Sequence, residues 1–357
     1  MKKIILFWML LSSIQSFAQV DTIVIHQLDM QKAEKIYNEG IVQFEAKQYK
    51  AAIDTFSKAI ELKPDFDKAY FNRALSRFEV KEYSAALSDY NKVIELNEKA
   101  DKAWFGKAKT LYQQGKIEDC ILSYTKAIEY APENFLAYYY RGGANFEAGK
   151  YDTALADFNK TIELKNDYAL AYNDRGSTYK KLDKLQLAIE DYSMAVKMKP
   201  SFAIAYNNLG SAKKKNNDLK GAIEDYTVAI KLKPDYYIAL NNRGSAKFEM
   251  ADYAGAIEDF TETIKLKPDY AFAYNNRGNA YLKNANADLS KATPDFEKAL
   301  ADLDKAIQLN PSYGYAYYNR GIVHEFLRQQ KAACDDWKKA AELGINNATE
   351  IIKQECK

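Results

Sequence analysis

Asparagines recur at intervals of 34 residues in the second half of the chain. One row comprises Asn173, Asn207, Asn241 and Asn275, and a second row beside it comprises Asn208, Asn242 and Asn276. A side-chain amide can donate to a peptide carbonyl and accept from a peptide N–H at the same time. These rows are therefore suited to holding an extended backbone with little regard to its sequence.

Hydroxyl and ammonium groups follow the asparagines at fixed offsets. The serines are Ser177, Ser211 and Ser245, and the lysines are Lys180, Lys181, Lys214 and Lys215. Ammonium groups form strong, charge-assisted hydrogen bonds with carboxylates. The four lysines are predicted to form one patch that takes an acidic residue or a free carboxylate. The alternative is a solvated polar face with no ligand.

Aromatic residues occupy the matching positions in the first half of the chain. Phe71, Phe105 and Tyr139 stand at the same 34-residue spacing as the asparagines. Rings of this kind bury large apolar areas, so we expect them to take apolar side chains of a partner. Two alternatives are that the rings pack on one another, or that they form walls for a glycan.

Residues for catalysis are scarce. The chain has two histidines, His26 and His324, which cannot supply a metal cluster or a histidine-based triad. Its glycines are placed by the repeat and form no phosphate-binding loop. We therefore expect no enzymatic activity, no bound metal and no cofactor. With 51 basic and 49 acidic side chains, the balance of charge gives no reason to expect a nucleic-acid partner or an anionic membrane surface.

The elements that position these residues repeat with the same period. Prolines at the end of the unit fall on one 34-residue grid: Pro64, Pro132, Pro200, Pro234 and Pro268. Within each unit, small residues recur at the eighth and twentieth positions and an aromatic ring at the twenty-fourth in all but one. Small residues allow two helices to approach closely, and rings fill the remaining gaps. The pattern predicts stacked helical hairpins.

This frame, W-x2-L-G-x2-Y followed by A-x3-F, A and P, resembles the tetratricopeptide repeat. Nine units match it, at 33–66, 67–100, 101–134, 135–168, 169–202, 203–236, 237–270, 271–313 and 314–344. The resemblance implies an all-α, right-handed superhelical solenoid of antiparallel helix pairs, in which each first helix lines a concave groove. It also implies that the second, fifth, ninth, twelfth and thirteenth positions face that groove. The binding residues described above stand at the fifth, ninth, twelfth and thirteenth positions, except for the second asparagine row, which stands at the sixth.

The asparagine row is similar to that of superhelical tetratricopeptide proteins that bind extended peptides. The chain departs from the carboxylate-clamp pattern of chaperone-tail binders, which has lysine at the fifth position of an early unit. Tyr37 and Phe71 stand there instead, so chaperone tails are not expected partners.

Arginine and aspartate co-occur within six of the units. Arginine stands at the seventh position and aspartate at the twenty-third in each of the pairs Arg73 and Asp89, Arg141 and Asp157, Arg175 and Asp191, Arg243 and Asp259, Arg277 and Asp302, and Arg320 and Asp336. Their joint presence predicts an ion pair across each hairpin, with a structural role.

Four segments depart from the repeat. Residues 1–18 have the pattern of a secretory signal with cleavage after Ala18. Residues 19–32 form an apolar leader, predicted to cover the first hairpin or to form a short strand or groove-docked peptide. The eighth unit has nine extra residues before Pro294, which predict a longer second helix. Residues 345–357 have the apolar spacing of a capping helix.

The cysteines fit an exported protein. Cys120 stands at a small position inside a repeat and is expected to be buried and inert. Cys334 faces the expected cap, which contains Cys356, so an oxidising compartment favours a disulfide between them.

The sequence thus predicts an exported scaffold, periplasmic or secreted, without a transmembrane segment, that binds an extended peptide or partner segment in its groove. Two alternatives stay open: a glycan-binding envelope protein, and a purely architectural subunit of an envelope or secreted assembly. Alanine at Asn207, Asn241 and Asn275 is expected to weaken capture and leave melting unchanged.

Overall fold

The computed structural model describes residues 27–287 and 292–356, and every regular element in these residues is a helix. There are nineteen helices in the described chain: α1 (27–45), α2 (Tyr49–Leu62), α3 (Asp67–Glu79), α4 (Tyr83–Leu96), α5 (Asp101–Gln113), α6 (Ile117–Tyr130), α7 (Phe135–Glu147), α8 (Tyr151–Leu164), α9 (Ala169–Lys181), α10 (Leu185–Met198), α11 (Ala203–Lys215), α12 (Leu219–Leu232), α13 (Tyr237–Glu249), α14 (Tyr253–Leu266), α15 (Ala271–Ala287), α16 (Ala292–Leu309), α17 (Gly314–Phe326), α18 (Gln330–Glu342) and α19 (Asn346–Glu355). The predicted all-α fold is confirmed.

Each repeat is one helical hairpin. In the described turns between the two helices of a repeat, one residue lies in the left-handed region, such as Gly115 with φ of 72° or Gly149 with φ of 74°. Several repeats use a residue with a Cβ at this point, among them Asn217 and Ala251, where the conformation costs about 1 kcal/mol. The tight turn makes the two helices antiparallel neighbours.

A glycine on the first helix receives a ring from the second. In the seventh repeat, a Cβ added to Gly244 would lie 2.8 Å from Cε1 of Phe260. The same contact joins Gly210 to Tyr226 and Gly321 to Trp337, and these rings are fully buried. Close backbone approach therefore requires the glycine, as the small-residue pattern predicts.

The chain divides into two compact units. The first ends at Asn166, after α8, and the second begins at Asp167, before α9. In each unit, helices contact mainly the helix before and the helix after in the sequence. Each unit thus has the neighbour-to-neighbour packing of a solenoid.

The inserted residues of the eighth repeat lengthen both of its helices. α15 has 17 residues and α16 has 18, where α13 has 13 and α14 has 14. Asn284 Nδ2 on the added turn of α15 donates to Oδ2 of the buried Asp295 on α16, at 2.6 Å. The longer second helix was predicted; the longer first helix was not. Residues 288–291 lie outside the described chain.

The last helix packs on the ninth repeat. Ala348, Ile345 and Ile352 of this segment contact the cluster that contains the fully buried Trp337. Cys334 and Cys356 form a disulfide with their Cα atoms 5.6 Å apart, and Cys120 is buried with a free thiol. Burial raises the pKa of Cys120 to about 12, so this thiol is inert as predicted.

The described chain begins within the predicted leader. Residues 27–32 are helical and continue directly into the first repeat as part of α1, so this part is neither a strand nor a docked peptide. A helix continues because its backbone hydrogen bonds extend one residue at a time. The predicted signal segment, 1–18, and residues 19–26 lie outside the described chain.

Candidate functional site

Side-chain amides join the first helices of consecutive repeats in the second compact unit. Asn208 Nδ2 donates to Asn173 Oδ1 at 2.9 Å, Asn242 to Asn207 at 3.0 Å, Asn276 to Asn241 at 3.1 Å, and Asn319 to Asn275 at 2.9 Å. The accepting asparagines are all buried. The two predicted rows are therefore the two sides of one ladder of hydrogen bonds between repeats.

This ladder corrects the predicted role of the first row. Asn173, Asn207, Asn241 and Asn275 were expected to hold a bound backbone, but they are 6 to 7% exposed and each carbonyl already accepts a hydrogen bond. Neighbouring first helices lie close enough for the next repeat's amide to reach them. The second row, Asn208, Asn242 and Asn276, is only partly buried, and Asn276 Oδ1 also accepts from Asn275 Nδ2 at 3.2 Å.

The serines also have intramolecular partners. Ser177 Oγ and Tyr192 Oη lie 3.0 Å apart, and Tyr226 Oη donates to Ser211 Oγ at 3.3 Å. Burial raises the pKa of both tyrosines to about 12, so their hydroxyls stay protonated. Ser245 Oγ accepts from Lys214 Nζ at 3.3 Å. Its hairpin has Phe260 at the tyrosine position, and phenylalanine has no hydroxyl group to offer.

The four lysines do not form a single free patch. Lys214 Nζ is 2.7 Å from Glu249 Oε1, and Lys215 Nζ is 2.8 Å from Asp183 Oδ1. Lys181 is exposed. Lys180 is half-buried, and its pKa is lowered by that burial and then by the charges of Lys215 and Lys181. In the described chain, Lys180 has no ion-pair or hydrogen-bond partner.

The aromatic residues of the first unit contact rings of the second helices. Phe71 meets Tyr90 edge-on with ring centroids 5.9 Å apart, and Phe105 meets Tyr124 at 5.4 Å. Tyr139 packs against Phe158 at 6.0 Å. Each of these rings is partly buried. One part of the ring packs against the second helix, and the rest is exposed.

A cavity of about 220 Å³ lies between α3 and α5 in the first unit. Its walls include apolar, basic and acidic side chains: Phe71, Leu75, Phe78, Phe105, Lys102, Lys109 and Glu79. It brings together two of the predicted aromatic residues with two ammonium groups, neither of which pairs with a carboxylate in the part of the chain that the structure describes. Lys109 Nζ lies 5.2 Å from the centroid of the Phe78 ring, a cation–π distance.

Gly106 and Tyr90 also line this cavity. Gly106 stands at the sixth position, where the neighbouring second repeat has Asn72, which donates to Tyr37 Oη at 2.9 Å. A Cβ at Gly106 would lie 2.4 Å from Cζ of Tyr90, so the tyrosine ring occupies the space of the missing side chain. Sequence analysis missed this site, although a glycine in the asparagine position was its visible signal.

The predicted arginine–aspartate pairs are confirmed, and they also connect repeats. Arg243 Nε and Nη2 donate to the two carboxylate oxygens of Asp259 at 2.9 and 2.7 Å, while Nη1 donates to Thr227 Oγ1 of the previous repeat at 3.1 Å. The other described pairs are Arg73 with Asp89, Arg141 with Asp157, Arg175 with Asp191, Arg277 with Asp302 and Arg320 with Asp336. A role inside the array accounts for these charges.

Sequence comparison agrees with this architecture. Profiles described as Tetratricopeptide repeat match residues 71–119, 105–169, 169–202 and 203–236, and profiles described as TPR repeat match 40–81, 246–284 and 295–325. The chain belongs to the tetratricopeptide repeat family.

Solved tetratricopeptide repeat structures share the fold. The C-terminal part of a TPR repeat-containing protein from Cytophaga hutchinsonii has a TM-score of 0.57 and 18% identity, over 67% of this chain and 98% of that one. A tetratricopeptide repeat protein from Parabacteroides merdae has a TM-score of 0.56 and 18% identity, over 72% and 99%. The Cut9–Hcn1 hetero-tetramer of APC/C gives 0.55 and 17%, over 86% and 59%. No curated protein matches the sequence.

The described residues of this tetratricopeptide repeat protein contain neither a metal-binding cluster nor a membrane-spanning helix. No group of three or more His, Cys, Asp or Glu side chains there is arranged to hold a metal ion. None of the helices there combines the length and the apolar character needed to cross a bilayer.

Proposed function

We propose that the protein is an exported, non-enzymatic scaffold that holds an extended segment of a protein partner along the first helices of its repeats. A tetratricopeptide repeat array is a protein–protein interaction scaffold, because stacked repeats create a long surface from many similar helices. The observation that supports a bound segment is the cavity between α3 and α5, which presents apolar walls and unpaired ammonium groups together.

The size of the cavity indicates what it takes. An apolar cavity of about 150 Å³ can hold a benzene ring, whereas sites for drug-sized ligands measure about 300–1,000 Å³. At about 220 Å³, this one fits a single large side chain. Lys102 and Lys109 at its wall outnumber the one carboxylate there, Glu79, and this excess of positive charge favours a residue with an acidic neighbour. In the second unit, the partly exposed amides of Asn208, Asn242 and Asn276 would hold backbone.

The cavity can be tested with a matched pair of substitutions. A partner captured from the native host by crosslinking is titrated with the Phe78→Ala and Phe248→Ala variants. Both rings occupy the same place in their repeats, with Phe78 5.6 Å from Tyr83 and Phe248 5.5 Å from Tyr253, but only Phe78 lines the cavity. We expect Phe78→Ala to weaken binding about 10- to 100-fold, since burying an aromatic side chain contributes about 1.5–3 kcal/mol.

If Phe78→Ala and Phe248→Ala lower the free energy of unfolding equally, a difference in their affinities for the partner is a local effect of the cavity. Equal affinities would contradict a role of the cavity in binding. Export is tested separately by the mass of the protein recovered from the host's envelope and medium. We expect the chain to begin at Gln19; a chain that stays in the cytoplasm with residues 1–18 attached would refute export.

A further inference from the structure

The seam between α9 and α11 has the same register as the seam between α11 and α13. In the first seam Asn208 donates to Asn173, and in the second Asn242 donates to Asn207, each across 35 residues of sequence. The two amide bonds fix the height of one helix against the next. Side chains two turns further along the two seams can therefore be compared directly.

In the seam between α11 and α13, Lys214 finds two partners on the next helix. Its Nζ lies 2.7 Å from Glu249 Oε1 and 3.3 Å from Ser245 Oγ. The same pair of positions is used in the first unit, where Tyr112 Oη donates to Glu147, again across 35 residues. A carboxylate on the following helix is thus the repeated partner of this position.

In the seam between α9 and α11, both partners of Lys180 are lost. Lys215, a cation, stands at the position in this seam that corresponds to Glu249. Ser211 stands at the position that corresponds to Ser245, and it already accepts from Tyr226 Oη at 3.3 Å. The described part of the chain offers Lys180 no other ion pair. Asp183, in the turn after α9, is exposed and pairs with Lys215 at 2.8 Å.

We propose that Lys180 and Lys215 form an oxyanion site that takes a carboxylate or phosphate group from a bound partner. The oxyanion would fill the place that Glu249 fills beside Lys214, and would compensate a half-buried ammonium that two like charges repel. Lys181 adds to the local positive charge. The inference rests on the proposed function only for the source of the oxyanion; the site itself belongs to the second unit.

The site can be tested with small anions on the full mature chain. Lysine labelled with 13C at Cε is followed by NMR while sodium acetate, and separately inorganic phosphate, replaces chloride at constant ionic strength. The Lys180 signal is assigned by Lys180→Arg. We expect it to shift saturably in the wild type, with the affinity at least tenfold weaker in Lys215→Glu, because that change supplies an internal carboxylate. The control Lys231→Glu makes the same change of charge on an exposed lysine of α12 and should keep the wild-type affinity within about twofold.

Acetate and inorganic phosphate distinguish which chemical group of a partner binds at the site. Saturation by acetate alone assigns a carboxylate, saturation by phosphate alone assigns a phosphate group, and saturation by both supports a general oxyanion site. The reciprocal change Glu249→Lys should create a second saturable response at Lys214.

No saturable shift at Lys180 with either anion, or an equal response in Lys215→Glu and the wild type, would overturn the inference. Such a result would leave the cavity at Phe78 untouched, because that cavity lies in the first unit and is tested through partner binding.

Discussion

At the scale of single residues, side-chain amides join one repeat to the next, and ion pairs join the two helices of one repeat. Asn241 accepts from Asn276, and Asp259 accepts from Arg243 and lies 2.9 Å from Lys247 Nζ. Position eleven supplies this second cation, which the sequence did not reveal. Asp225 has no arginine opposite and pairs with Lys213 alone, at 2.7 Å, and burial raises the pKa of its carboxyl.

Loss of one ladder amide should lower stability. Asn241→Ala leaves Asn276 Nδ2 without its acceptor, which should cost about 1–2 kcal/mol, since an unsatisfied polar group retains its desolvation penalty. Urea unfolding measures the change, and Asn347→Ala, at an exposed position of α19, serves as the control. Unchanged unfolding in Asn241→Ala would mean that the ladder contributes nothing, and would restore the expectation that melting is unaffected.

The number of cations around each aspartate predicts a difference in stability. Asp259→Asn leaves Arg243 and Lys247 without their carboxylate, whereas Asp225→Asn leaves Lys213 alone. We expect Asp259→Asn to cost on the order of 3 kcal/mol and Asp225→Asn distinctly less. Denaturant unfolding of both variants at one salt concentration measures this, and equal losses would argue against it.

At the scale of elements, the C-terminal end of the array differs from its interior because an additional helix, α19, packs on it. An interior hairpin has neighbours on both sides, but the ninth repeat would expose Trp337 and its surroundings without α19. The disulfide between Cys334 and Cys356 holds this helix in place. The eighth repeat shows another element-scale rule, because its inserted residues add length to both helices and leave the hairpin intact.

Reduction of the disulfide should loosen the cap. The bond closes a loop with a sequence separation of 22, and loops of about this length are stabilised by about 3 kcal/mol when crosslinked. Thermal unfolding with and without reductant should show a lower midpoint for the reduced protein. The double variant Cys334→Ser and Cys356→Ser should not respond to reductant, and a wild type that also fails to respond would rule out a stabilising disulfide.

At the scale of the whole molecule, the interchangeability of repeats is itself testable. Deletion of the complete sixth repeat, 203–236, places α13 after α10. Asn242 then faces Asn173 as its acceptor, and Arg243 faces Ser193 in place of Thr227, so the ladder and the arginine contacts can form again. Each repeat depends mainly on its neighbours.

We expect this deletion variant to keep the same helical content per residue, by circular dichroism, with a modestly lower melting temperature. A deletion of 203–219, half a repeat, is the control and should unfold most of the second unit, because it destroys the register. Equal behaviour of the two deletions would contradict a register set by the 34-residue frame.

The sequence by itself determined the hairpins, their number and their internal packing. The spacing of Gly244 and Phe260, or of Arg243 and Asp259, follows from contacts within one hairpin. Such contacts join residues that are close in sequence, and they recur in most copies. Only the tertiary structure decided the outcome between hairpins. Whether Asn207 faces a ligand or a neighbouring amide depends on how near the next helix lies, and the cavity beside Gly106 depends on where the Tyr90 ring settles. Distances between helices are set by all the packed side chains together, so no single position in the repeat reveals them.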